Sequence, residues 1–277
     1  MRQALAFLTP LGGASVPGPR ALRWFPVVGA ATGLLLGAIW WGVAQVVPPG
    51  VAAGIVLAGD LALTGMLHMD GLLDTADGLF LHGAAERRLE VMRDSAVGAF
   101  GVSAAVAVLV LRWAALDALA PEVLVLAGIW SISRALMGFS AGYVPYARAS
   151  GIASAFLGQG IDMAGQGDTG MQAGEASLPN AEPVASARAC ARACGLAGLA
   201  LGIPFTLAGA AWPFEGTGAA VLAHLSGALA ALLLGVAAGA GVVLLARRRL
   251  GGFTGDVLGA AGVVTETVAL VVLGARW

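Results

Sequence analysis

The chain has 277 residues, 58% of them hydrophobic and 11% charged, and its mean hydropathy is +0.87. A soluble domain carries about 25% charged residues, so a water-soluble globule is excluded and a lipid-embedded one is predicted. The formal net charge of −1 offers neither a basic surface for nucleic acid nor an acidic tail.

A helix needs about 20 apolar residues to cross a hydrocarbon core about 30 Å thick. Apolar runs predict spans at 24–46, 51–69, 99–118, 122–144, 193–213, 218–246 and 257–275, all within one integral membrane domain over 1–277. The fold class is all-α: a polytopic transmembrane helical bundle of about seven spans with a cytoplasmic interfacial helix and loops. Ahead of the first span, Pro10, Pro17 and Pro19 interrupt the chain and no small-residue cleavage site follows an apolar core. No cleaved leader is expected, and Met1 is placed in the cytoplasm.

The connections Pro48-Pro49-Gly50, Asp117 to Pro121 and Pro213 to Gly218 carry no arginine. Arg2, Arg20, Arg23, Arg87, Arg88, Arg93, Arg148, Arg188, Arg192, Arg247, Arg248 and Arg249 fall on the other side, which the positive-inside rule makes cytoplasmic. Arg112 and Arg134 lie within predicted spans, where an unpaired charge costs about 2.5–3.5 kcal/mol. Cys190 and Cys194 lack the second ligand pair of a zinc site and read as structural.

The end of the second span reads His68-Met69-Asp70-Gly71-Leu72-Leu73-Asp74-Thr75-Ala76-Asp77-Gly78. On a helix, Asp70, Asp74 and Asp77 follow the i, i+4, i+7 rule and share a face, with His68 nearly opposite. Three carboxylates so placed repel one another until a proton or a cation intervenes. Mg²⁺ is the expected cation, since it takes oxygen ligands from one or two carboxylates and from substrate phosphates. Gly71 and Gly78 allow a ligand or another helix to come close. A merely solvated helix end explains the polarity but not a triplet on one face beside apolar sequence.

Next, Arg87 to Gly101 reads as an amphipathic, arginine-rich interfacial helix leading into the third span, with Arg93 a phosphate contact and Asp94 a metal ligand or base. Gly158 to Pro183 is polar and aperiodic, a cytoplasmic loop. The last cytoplasmic loop, Arg247-Arg248-Arg249-Leu250-Gly251-Gly252-Phe253-Thr254-Gly255-Asp256, combines cations, a glycine-rich backbone and a span's N-terminus, which suits phosphate. Asp256 there is an N-cap, a metal ligand, or both. Glu266 is an acid inside a span, with Arg134 its obvious mate.

These segments together resemble the cobalamin synthase family, also called adenosylcobinamide-GDP ribazoletransferase. The likeness rests on His68 to Gly78, on Met92-Arg93-Asp94-Ser95 with Gly98 and Gly101, on Ser133-Arg134, on Tyr146-Ala147-Arg148 before Gly151, and on Gly251 to Asp256 with Gly259-Ala260. It implies an inner-membrane enzyme of the last stage of nucleotide-loop assembly, with its active site facing the cytoplasm. The reaction implied joins adenosylcobinamide-GDP to α-ribazole or its 5′-phosphate with Mg²⁺, releasing GMP. Catalytic segments are expected at about 68–101, 145–192 and 247–257. The metal set would be Asp70, Asp74, Asp77, Asp94 and Asp256. Asp94 or Asp77 would accept the proton of the attacking hydroxyl, with His68 the weaker choice. Arg93, Arg148, Arg247, Arg248 and Arg249 would hold the diphosphate, with Gly252, Thr254, Gly255 and Arg134 completing the substrate set. The lipid bilayer is the expected surrounding and nucleic acid is not a partner; a homo-oligomer, or a complex with other nucleotide-loop assembly enzymes, is left open. Leu11 to Arg20 and Gly160 to Pro183 look less like the family's pattern.

Two other readings compete. A CDP-alcohol phosphotransferase also has an acidic motif at the membrane edge, but with a Gly-x-x-Ala-Arg segment between its acid pairs, where this chain has Leu79-Phe80 after Gly78. A cation transporter would use Asp60 and Glu266 within spans. Against it, most of the acids lie at one membrane edge among arginines.

Overall fold

A computed structural model describes residues 1–15, 17–148, 151–157, 184–211 and 218–275. Among them run ten α-helices: α1 (Arg2–Leu8), α2 (Phe25–Val43), α3 (Pro49–Leu63), α4 (Leu67–Phe80), α5 (Ala85–Val91), α6 (Ala99–Ala118), α7 (Val123–Tyr143), α8 (Val184–Ala211), α9 (Gly218–Leu250) and α10 (Gly255–Gly274). Both α2 and α3 carry a proline in the first turn, where a missing N–H breaks no intrahelical bond. Six segments are long and apolar enough to cross a membrane, and the number is seven if the bent pair α3 and α4 is counted as one span. This is the predicted all-α multi-pass bundle. The expected loop from Gly158 to Pro183 lies outside the described residues.

The second predicted span needs correction. Instead of running from 51 to 69, the helix stops at Leu63, because Gly65 and Met66 adopt φ values of 58° and 60°, in the left-handed region where no α-helix continues. The chain then leaves as α4 at 87° to α3. As a result the acidic segment is a helix in its own right. It lies across the N-terminal turns of α6 and α10: an added Cβ on Gly71 would meet Asp256, and one on Gly98 or Gly101 would meet Asp77.

At the centre stands α7, nearly all of whose residues from Val125 to Gly142 are buried. It packs against α2, α8 and α10. Gly29, Gly33 and Gly37 on α2 bring the two backbones together; a Cβ on Gly29 would sit 2.4 Å from the Trp130 carbonyl oxygen. Close approach through small residues is how helices gain van der Waals contact where lipid removes the hydrophobic drive.

Inside the bundle, two arginines and two acids from four helices neutralise one another. Arg112 on α6 donates to Asp60 on α3 (2.9 Å), to Glu266 on α10 (2.6 Å) and to the Thr267 hydroxyl (2.8 Å). Arg134 on α7 donates to the other oxygen of Glu266, which also accepts from Ser133 (2.8 Å). The Trp130 indole N–H donates to Asp60 (3.0 Å). The charges sum to zero, which answers the cost of placing arginine in a span. The expected Arg134 and Glu266 pairing is present. Arg112 widens it to a network.

Candidate active site

The acidic helix is held at its C-terminal end by two sets of contacts. Toward its C-terminus, Asp77 accepts hydrogen bonds from the backbone N–H groups of Gly98 (2.7 Å) and Gly101 (2.9 Å), one per carboxylate oxygen. It thus satisfies N–H groups at the start of α6 that have no intrahelical partner. Neither glycine can carry a side chain there, since a Cβ would fall 2.4 Å and 2.5 Å from the carboxylate. At the very end of α4, Arg88 donates to the Gly78 (3.0 Å) and Leu79 (2.6 Å) carbonyls, and Arg249 also donates to Leu79. Cations at a helix C-terminus oppose its negative pole.

Against the middle of α4 lies the start of α10. Thr254 is its N-cap, accepting from the Val257 N–H at 3.3 Å, so the N-cap role considered for Asp256 belongs to its neighbour. This frees the Asp256 carboxylate to accept from Arg148 (2.9 Å) and from the Thr254 hydroxyl (3.2 Å). Arg148 is brought there by a short parallel bridge: the Phe253 N–H donates to the Pro145 carbonyl and the Ala147 N–H to the Phe253 carbonyl, each at 2.8 Å. Gly252 is required at this crossing, where a Cβ would stand 2.1 Å from the Pro145 oxygen. Arg148 also donates to the Met92 carbonyl (3.2 Å), which ties the Arg93-Asp94 turn to the same place. Its Nε is buried without a partner.

Asp74 faces this arrangement half-buried. Desolvation, then the carboxylates of Asp256 and Asp70, push it up to about 7; Arg148 pulls the other way and Asp77 adds a smaller push. The acids that crowd Asp74 most are therefore Asp256 and Asp70. The expected triplet of Asp70, Asp74 and Asp77 is redrawn, because Asp77 is 8% exposed and turned to the α6 backbone. Among the described residues, no three His, Cys, Asp or Glu side chains form a ready metal cage. The donor set nonetheless fits Mg²⁺, a hard cation held by one or two carboxylates and completed by phosphate and water. Proton and metal would compete at Asp74, so Mg²⁺ affinity should rise about tenfold per pH unit up to pH 7 and level off above. Calorimetric titration between pH 6 and 8 checks this; a flat response would count against the carboxylate as ligand.

The other expected site residues separate into groups. Arg93, Arg247 and Arg248 are exposed on the same side of the molecule as the acids, and Gly255 opens α10. Asp94 is exposed and accepts from the Ala96 N–H (3.0 Å), shaping the turn before α6. Arg249, also exposed, donates to the Leu79 carbonyl at the end of α4. Arg134, placed in the substrate set by resemblance, is buried in the ion-pair network, 2% exposed. His68, in the first turn of α4, is buried where that helix crosses α10 at Gly259, its Nε2 without a partner. Helical spacing already turns it from the acids.

Arg88, named in the sequence only within the basic segment, reaches its guanidinium back ten residues, and Tyr146, named only within a motif, also joins the site. Burial pushes the Tyr146 phenol up, and it feels Arg148, Asp256 and Arg93 together, so it stands among them. Gly71 was noted for close approach, and its neighbour is now clear: a Cβ would lie 2.7 Å from the Asp256 carbonyl oxygen and 3.0 Å from its Cα. Backbone cannot swing aside as a side chain can. Gly71→Ala is expected to cost about 1–3 kcal/mol and to lower turnover, read by thermal unfolding and by assay. An unchanged variant would show that α4 and α10 are not held at this spacing.

The chain matches the family model described as cobalamin-5-phosphate synthase over residues 1–171 and 163–274. An adenosylcobinamide-GDP ribazoletransferase of Chlorobium phaeovibrioides is 33% identical over 274 residues, covering 94% of this chain and 92% of the relative. One from Ralstonia nicotianae is 34% identical over 271 residues (92% and 84%), and one from Leptothrix cholodnii 36% over 252 residues (89% and 81%). No solved structure matches significantly.

Proposed function

This chain belongs to the cobalamin-5-phosphate synthase family, and from that premise we propose that it joins adenosylcobinamide-GDP to α-ribazole, or to its 5′-phosphate, with release of GMP. The observation that carries the reading is the junction of α4 and α10, where Asp74, Asp70 and Asp256 crowd together beside Arg148. Crowded carboxylates ringed by arginine suit a metal-bridged diphosphate.

In the proposed transfer, a ribose hydroxyl of ribazole attacks the phosphorus attached to cobinamide and the bond to the GMP oxygen breaks. Positioning and charge neutralisation carry most of such a reaction. Asp74 with Asp70 and Asp256 would hold Mg²⁺, which when bound neutralises charge on the phosphoryl oxygens. Arg148 presents its guanidinium from beside Asp256, and the exposed Arg93, Arg247 and Arg248 receive the diphosphate and the departing GMP. Of the residues considered for the hydroxyl proton, Asp77 has both oxygens bonded and His68 is sealed in the core. Asp94, exposed two residues from the Met92 carbonyl that binds Arg148, is the acceptor we favour. The basic side of this multi-pass protein is assigned to the cytoplasm of the inner membrane.

The test reconstitutes the chain in liposomes with adenosylcobinamide-GDP, α-ribazole and Mg²⁺. Corrinoid product and GMP in equal amounts are expected. CMP release from CDP-diacylglycerol and an alcohol, with no corrinoid product, would overturn the assignment. The transporter reading loses its footing because Asp60 and Glu266 already face Arg112 and Arg134.

A further inference from the structure

Away from the acids, a second cationic corner is built where α1, the 3-10 turn Pro19–Trp24 and the first half of α8 pack together through Ala4, Leu8, Ala21, Leu22, Ala191 and Cys194. Arg23, Arg188 and Arg192 stand exposed on these elements. No acid occurs within residues 1–24 or 184–211. The transfer described above uses none of these arginines.

The corner has the layout of a phospholipid. Arg188, Arg192 and Leu196 follow one another at i, i+4, i+8 on α8, and Leu199 comes one turn further; Leu196 is 69% exposed and Leu199 54%. Going down the helix, two cations at the cytoplasmic end give way to bare apolar surface. Beside Arg192, the Tyr143 hydroxyl accepts from its Nε at 2.6 Å, and Tyr143 stacks on Phe139 with ring centroids 4.6 Å apart. On the neighbouring turn, the Arg23 guanidinium lies 5.7 Å from the Trp24 ring centroid. Aromatic rings with a polar edge settle at headgroup depth, and arginine forks onto phosphate oxygens.

We infer that this corner is a binding site for an anionic phospholipid of the surrounding bilayer, its phosphodiester held by Arg188, Arg192 and Arg23 and its acyl chains lying along Leu196 and Leu199. Neutral lipid would satisfy the apolar part of the surface but not the arginines. Inorganic phosphate would satisfy the arginines but gain nothing from the leucines.

The experiment is native mass spectrometry of the full chain, released from nanodiscs of mixed phosphatidylglycerol and phosphatidylcholine. Retention of phosphatidylglycerol over phosphatidylcholine is expected, lowered on the order of fivefold for each of Arg188→Gln and Arg192→Gln. Arg87→Gln, which removes a cation on the distant α5, should leave the preference intact. Leu196→Ser with Leu199→Ser should weaken retention with the arginines in place. Equal retention of both lipids by the unaltered chain, displacement by millimolar inorganic phosphate, or loss of preference in Arg87→Gln to the same degree would each overturn the site.

Discussion

Replacing Asp74 with Asn should lower turnover by about two to three orders of magnitude while leaving the protein folded, since a carboxylate ligand to a phosphoryl-transfer metal is worth several kcal/mol of transition-state stabilisation and each 1.36 kcal/mol is tenfold in rate. The side chain is half-buried and destabilised as an anion by Asp256 and Asp70, so the neutral amide relieves repulsion. The melting temperature without metal should hold or rise as activity falls. This opposite movement separates a lost ligand from a damaged fold. Near-normal turnover by well-folded Asp74→Asn protein would remove the metal proposal, whatever the family assignment. Asp77→Asn should behave differently. Its oxygens meet the α6 backbone, and an amide NH₂ facing one of those N–H groups would lose stability along with rate.

The second large effect is expected in the membrane interior. Glu266→Ala leaves Arg134 without its carboxylate and Arg112 with Asp60 alone, in a place where both guanidinium groups are almost wholly shielded. Removing one partner of a buried ion pair costs about 3–5 kcal/mol, much of it the uncompensated charge left behind. The variant should appear as aggregated or poorly extracted protein in detergent. Adding Arg134→Met to Glu266→Ala restores charge balance and should recover part of the loss, as read by unfolding in denaturant. If the double variant is no better than the single one, the network does not act through charge balance.

Most of the long helices were legible from the sequence because lipid demands long apolar runs, and their order emerges as expected. The break after Leu63 was not. Apolar residues continue through Gly65 and Met66, and hydropathy carries no information about φ. The acids at 70, 74 and 77 do lie near one another on α4, yet helical spacing alone cannot say what each one meets. Asp77 meets backbone 21 and 24 residues ahead of it in sequence, while Asp74 meets Asp256 from the far end of the chain. Such pairings are long-range facts of packing. Gly98 and Gly101 were noticed as part of a motif; their purpose, leaving room for a carboxylate, needed the fold. Arg134 and Arg249 illustrate the converse limit. An arginine read as a phosphate contact has acceptors within the protein that only the fold shows, here a glutamate in the core for Arg134 and a helix's terminal carbonyl for Arg249.

The helix that carries the acids meets three of its neighbours across glycines: α10 at Gly71 and Gly259, α6 at Gly98 and Gly101, and the stretch around Met92 at Gly78. Main chain closes the contacts with α10 and α6, the Met92 side chain closes the one at Gly78, and Asp70 is exposed. A helix seated on glycine tolerates no added methyl there, and an alanine at Gly98 or Gly101 would push the Asp77 carboxylate away and carry the neighbouring acids with it.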